Sequence, residues 1–149
     1  CHQAVGVLID EGGNDSYGTR YGGVVQGFAW DEAVGALIDD GGDDRYEGAW
    51  CNQGSSAMNG WALFIDRGGR DEYVGGEVAR TVGNHYHGGT SLSLFLDCGG
   101  GEDRYEKRPN GAVVITPEHS LFADLPEGVE EALRQDAYRG LIRPPEAGR

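Results

Sequence analysis

The sequence predicts an all-β fold, a parallel β-solenoid (β-helix) of about four coils of 27–31 residues, closed by a small C-terminal strand and helix cap. Three observations carry this. A segment of the form apolar-apolar-Asp-x-Gly-Gly-x-Asp-x-Tyr occurs four times, at residues 8–17, 37–46, 64–73 and 95–105. The first Asp of each copy, Asp10, Asp39, Asp66 and Asp97, follows its predecessor by 29, 27 and 31 residues. The frame around it is nearly constant. Gln26, Gln53 and Asn84 precede it by 13 residues, and Tyr17, Tyr46 and Tyr73 follow by seven, Tyr105 by eight. Length varies only between each Tyr and the next Gln or Asn, as when insertions collect on one side of a stack.

The segment before each Asp reads as a strand. Positions −5, −3 and −1 are Val5, Val7, Ile9; Val34, Ala36, Ile38; Trp61, Leu63, Ile65; and Leu92, Leu94, Leu96. Large apolar residues two apart share one strand face, which this spacing assigns to the core. The Gly-Gly pair ends the strand, and Tyr opens a second. The Gly/Ala/Ser-rich region after Gln or Asn gives a third. Antiparallel blades joined at the Asp-Gly-Gly turns are the competing architecture. A single repeat is short for a four-stranded blade, and like-for-like recurrence suits stacked rungs. Position −2, on the other face, holds Leu8, Leu37, Phe64 and Phe95, above small residues Gly6, Gly35, Ala62 and Ser93. An apolar stripe there asks for a cover, either the C-terminal segment or a second subunit.

Composition divides the chain into a repeat region, 1–105, and a C-terminal cap and tail, 106–149. The first holds 23 of the 27 glycines and no proline, and the second holds all five prolines. Residues 112–115 read as a strand and 126–139 as a helix stopped by Gly140. The chain opens on Cys1, either as a lipidated first residue or because it starts partway through a repeat of a longer protein. Upstream repeats or a second copy are then the expected neighbours, and an extracellular or cell-surface setting is favoured.

The net charge of −13, with Lys107 the only lysine, disfavours nucleic acid and anionic membranes and favours cations. No apolar run reaches the roughly 20 residues of a membrane-spanning helix. Cys1, Cys51 and Cys98 match neither a disulfide framework nor a zinc spacing.

Stacking the coils would place first Asps beside first Asps, and second Asps (Asp15, Asp44, Asp71, Asp103) beside second Asps. Like charges about 5 Å apart repel by about 1 kcal/mol in water and by several-fold more where partly buried. Two arrangements offset this. Each Asp can cap its own turn by accepting backbone N–H bonds. Alternatively, a hard cation such as calcium takes the carboxylates as ligands. The metal candidates are Asp10, Asp15, Asp39, Asp40, Asp44, Asp66, Asp71, Asp97 and Asp103. The first two turns, with Glu11 and Asp43 added, are the richest in acid. Arg67 and Arg70 in the third turn face Asp40 and Asp43 one coil earlier, which neutralises charge without metal.

The turns Gly12-Gly13-Asn14-Asp15-Ser16-Tyr17 and Gly41-Gly42-Asp43-Asp44-Arg45-Tyr46 resemble the calcium-binding nonapeptide of RTX repeats. They depart from it in period, in the missing second Gly-x and in the final Tyr. The whole unit more closely resembles bacterial repeat proteins built from Leu-x-Asp-x-Gly-Gly-x-Asp-x-Tyr, a resemblance that implies no activity.

His85 and His87, two apart on one strand face, form an alternative metal pair, with His2 or Asp31 as a third ligand. The ordinary reading of both is a loop histidine. Paired carboxylates and the aromatics Tyr17, Tyr21, Trp30, Tyr46, Trp50 and Tyr73 also admit a carbohydrate-active β-helix that binds or cleaves polysaccharide beside the variable loops 18–25, 47–52 and 74–83. That rests on fold-level analogy. No nucleophile elbow, phosphate loop, dinucleotide fingerprint or Cys-x-x-Cys occurs. The sequence therefore favours a non-catalytic structural or binding repeat module over an enzyme.

Overall fold

A computed structural model describes residues 3–19, 23–83 and 88–129. The chain winds as a parallel β-solenoid with three sides. The longest side carries β1 (Val5–Asp10), β4 (Val34–Asp39), β7 (Trp61–Asp66), β10 (Leu92–Asp97) and β13 (Ser120–Asp124) in parallel order, with β12 (Val113–Thr116) antiparallel on β13. The second side stacks β2 (Ser16–Tyr17), β5 (Arg45–Glu47), β8 (Glu72–Val74) and β11 (Arg104–Tyr105). The third stacks β3 (Ala29–Trp30), β6 (Ser56–Ala57) and β9 (Thr81–Val82). The antiparallel-blade alternative is excluded, because consecutive repeats pair in parallel at identical positions, Asp10 on Asp39 on Asp66 on Asp97.

Two features differ from the sequence reading. The first is the direction of the long strands. Their inner row is −4, −2 and 0, not −5, −3 and −1. Leu37, Phe64 and Phe95 are 0–2 % exposed, as are Asp39, Asp66 and Asp97, whereas Val5, Val7, Ile9 and Trp61 are more than half exposed. The cover that position −2 requires comes from the same chain. Tyr46, Tyr73 and Tyr105 pack edge-on against Phe64, Phe95 and Phe122 at centroid distances of 5.0–5.1 Å. Small residues at −4 mark a tight approach rather than an open floor: a Cβ at Gly35 would sit 2.3 Å from the Phe28 carbonyl oxygen. The second is a fifth rung. β13 extends the long sheet and places Asp124 on Asp97. The expected strand at 112–115 is β12. Most of the expected helix at 126–139 lies outside the described residues.

The interior is built of columns. Tyr17, Tyr46, Tyr73 and Tyr105 stack at 4.9, 5.1 and 4.7 Å, with ring planes within 5°. Phe64, Phe95 and Phe122 stack at 4.8 and 5.1 Å. Offset-stacked and edge-to-face rings at such distances add stabilisation beyond burial alone. Gln53 donates its amide to Gln26 at 2.6 Å, forming a polar column on the opposite corner. The extra residue of the fourth turn is absorbed among Gly99, Gly100 and Gly101, and Tyr105 still pairs with Tyr73.

Candidate cation-binding corner

The corner lies where each long strand ends at its Asp, turns through Gly-Gly and returns at the second Asp. Glycine is required at the second of these positions. Gly42 has φ +147°, and a Cβ there would meet the Gly13 carbonyl oxygen at 1.4 Å. The turn backbones therefore stack in contact, and Asp39 and Asp44, two residues before and after the glycine pair, point into the coil.

Both oxygens of each first Asp are engaged. One oxygen caps the turn: the N–H groups of Gly12, Gly41, Gly68 and Gly99 donate to Oδ1 of Asp10, Asp39, Asp66 and Asp97 at 3.1, 3.1, 3.1 and 3.4 Å. The other oxygen meets tyrosine. Tyr17, Tyr46, Tyr73 and Tyr105 lie 2.6, 2.8, 3.0 and 2.7 Å from Oδ2 of their own Asp. Tyr17, Tyr46 and Tyr73 also lie 2.9–3.0 Å from Oδ2 of the next coil's Asp. Turn capping thus accounts for the first Asp of every coil.

The second Asps behave differently. Oδ1 of Asp44, Asp71 and Asp103 accepts the backbone N–H of Asp15, Asp44 and Asp71, one coil earlier, at 2.6, 2.7 and 2.8 Å. Asn110 takes the last place in this column, accepting the Asp103 N–H at 2.7 Å. Oδ2 of Asp44, Asp71 and Asp103 is buried and has no hydrogen-bond partner. A buried acceptor left so is costly and marks a missing ligand or proton. Among the described residues, two groups have carboxylate oxygens within 4.8 Å of one another: Asp44 with Asp66 and Asp71, and Asp71 with Asp97 and Asp103. Such clusters of buried carboxylates can hold a metal ion.

The electrostatics follow from burial. Burial pushes Asp71 up to about 9, and the Asp66 carboxylate adds to it. Burial likewise lifts Asp66 to about 7 and Asp103 to about 6, against the opposing N–H bonds of Gly68 and Asp71. Asp44 and Asp97 are raised for the same first reason. Asp10, at the open end, is lowered, chiefly by the Tyr17 hydroxyl. Burial also holds the four tyrosines well above 10, so their phenols stay protonated donors.

Six of the nine aspartates selected from sequence, Asp39, Asp44, Asp66, Asp71, Asp97 and Asp103, lie in the interior, and five of those form the two groups. Asp15 is exposed and Asp10 half-buried, because no coil covers β1 among the described residues. Asp40 points outward and pairs with Arg67, and Arg70 pairs with Asp43 at 3.2 Å. These arginines neutralise the outer acids and leave the inner rows untouched. Of the acid-rich first two turns only Asp44 joins a group; the other members come from the third and fourth coils. His85 and His87 lie outside the described residues. Sequence reasoning missed the tyrosines as Asp partners, Asn110 as the column's end and Asp124. Among the described residues, a groove beside the variable loops is lined by Ser16, Gly18, Thr19 and Glu47.

No family model, curated protein or solved structure matches this chain. No helix among the described residues is long and apolar enough to cross a membrane.

Proposed function

We propose that the chain is a non-catalytic structural or binding repeat module whose coils are stabilised by calcium at the inner acidic corner. The observation that carries this is the orientation of the recurring acids. Asp39, Asp44, Asp66, Asp71, Asp97, Asp103 and Asp124 are at most 7 % exposed and face the interior of the coil. A carboxylate enclosed by its own fold reaches no polysaccharide, but it can tie one coil to the next. Calcium suits the donor set, since it takes six to eight oxygen ligands in adaptable geometry and the corner offers carboxylate oxygens with spare lone pairs. A bound ion would supply the partner that the orphaned Oδ2 atoms require.

Thermal unfolding of the chelated protein, with and without millimolar calcium, tests the proposal. A ligand present at about 100 times its Kd stabilises the folded chain by about 2.7 kcal/mol. The expected result is a midpoint several degrees higher with calcium and no such rise with equimolar magnesium, which needs a small, near-octahedral site. Equal midpoints with calcium and chelator would remove calcium from this reading.

A further inference from the structure

We infer that Asp71 bridges two cation positions, one bounded by Asp44 and Asp66 and the other by Asp97 and Asp103, and that two divalent oxygen-seeking cations fill them as a pair. This rests on reading the corner as a calcium site, and it adds stoichiometry and coupling.

The argument begins with the lone pairs. A carboxylate offers about four acceptor positions over its two oxygens. Asp66 and Asp97 each spend one on a glycine N–H and two on tyrosine hydroxyls. One position remains on each. Asp44, Asp71 and Asp103 each spend one, on a backbone N–H of the coil before, and keep Oδ2 unpartnered at 4, 2 and 7 % residue exposure. The free acceptors therefore alternate along the stack, and Asp71 is the one residue common to both groups.

Charge sets the number of ions. The two groups together contain five carboxylates. One dication would leave a buried charge of about −3; two leave about −1, within reach of the neighbouring N–H and phenol dipoles. Positions one coil apart are separated by roughly 4.8 Å, the strand spacing, which a carboxylate bridging through its two oxygens spans. The pattern does not extend to the first step. Asp15 is exposed, and Asp15, Asp39 and Asp44 do not converge. The pair therefore fastens the second, third and fourth coils and leaves the first outside.

Two measurements on the full chain test this. Equilibrium dialysis against calcium after chelation is expected to give two ions per chain, lost together or weakened at least tenfold in Asp71→Asn, and kept in Asp40→Asn, whose parent carboxylate faces outward. Manganese loading of the unaltered chain needs no variant to fold. A carboxylate-bridged manganese pair gives an exchange-coupled EPR spectrum, whereas isolated ions give the simple hyperfine pattern. Two coupled ions support the bridge. A single ion per chain, an uncoupled spectrum at full loading, or one calcium retained at unchanged affinity in a folded Asp71→Asn chain would overturn the bridge while leaving calcium binding intact. Absence of any bound calcium or manganese would overturn the underlying calcium reading as well.

Discussion

The Tyr73 hydroxyl lies 3.0 Å from Oδ2 of Asp66 in its own coil and 3.0 Å from Oδ2 of Asp97 in the next. A phenol has one proton to give, so Tyr17, Tyr46 and Tyr73 each share theirs between two carboxyl oxygens. The row is a single coupled network from Tyr105 to Asp10, and its members stabilise the stack only together. Tyr73→Phe keeps the ring stack and removes the donor that Asp66 and Asp97 share. The expected cost is about 2–3 kcal/mol, the range for hydrogen bonds to charged groups plus the unsatisfied acceptor. Tyr17→Phe, at the half-buried end, should cost about 1 kcal/mol or less. Urea unfolding of both variants decides it, and equal losses would contradict the burial argument.

The raised acids also set a pH dependence for the calcium-free chain. Unfolded, each carboxyl returns to 3.8, while folded Asp103, Asp66 and Asp71 titrate at about 6, about 7 and about 9. Between about pH 4 and pH 9 the folded chain holds more protons than the unfolded chain, so stability falls as pH rises. The contribution is whole below the unfolded value and is lost through the three folded ones. The groups facing these acids are Asp44, Asp97, Asp124 and the tyrosine hydroxyls, and none of them supplies positive charge. Asp10 works the other way, because its lowered value costs stability only in acid. With chelator present, the urea midpoint should therefore be lower at pH 8.5 than at pH 5.5. A midpoint that rises over this interval would show that the acids are ionised without penalty.

The repeat and its period, the stacked turns and the outer Asp40–Arg67 and Asp43–Arg70 pairs were legible in the residues, because each follows from like positions lying side by side. The direction of the strand was not. Both rows of the long strand are apolar, and counting bulk selected the outer one. The residue that breaks the tie is the terminal Asp, which shares its row with Leu37 or Phe64 and is held inside by tyrosines seven residues on. The fifth rung was also written in the chain: Ser120-Leu121-Phe122-Ala123-Asp124 repeats Ser93-Leu94-Phe95-Leu96-Asp97. It lacks Gly-Gly, the mark by which the other copies are found. Counting acids placed a cation at the first two turns, but Glu11, Asp40 and Asp43 in that count are exposed. Which Oδ2 stays unpartnered depends on which backbone N–H its sister oxygen caps one coil away, and no local pattern encodes that.

Glycine at the turn is demanded twice, by its positive φ and by the stacking of one coil on the next. A Cβ on residue 42 falls inside the bonding distance of the Gly13 carbonyl, and one on residue 69 falls 1.6 Å from the Gly42 carbonyl. Neither neighbour is a side chain that can swing away. Gly42→Ala should cost about 3 kcal/mol or more, in the class of severe backbone strain. Gly83→Ala, with nothing within 4 Å among the described residues, should cost less than about 0.5 kcal/mol. Thermal midpoints of the two variants measure the difference, and a folded Gly42→Ala chain of unchanged midpoint would refute the close stacking of the turns.

The assignment of inner and outer faces makes the sharpest separation, because it concerns two large apolar residues three positions apart. Phe64 is 0 % exposed and touches Tyr46, Tyr73 and Phe95 at ring distances of 5.0, 5.9 and 4.8 Å. Truncating it removes the first ring of the phenylalanine column and opens a void against Tyr46 and Tyr73, and Phe64→Ala should cost about 3–5 kcal/mol. Trp61, on the same strand but the opposite face, is 55 % exposed. Trp61→Ser removes apolar surface that already meets water and should change stability by less than about 1 kcal/mol. Had the large residues at −5, −3 and −1 formed the core, the order of the two losses would be reversed. Chemical unfolding of Phe64→Ala and Trp61→Ser side by side reads the direction of the strand in solution, since only an inward position −2 makes the phenylalanine the costly one.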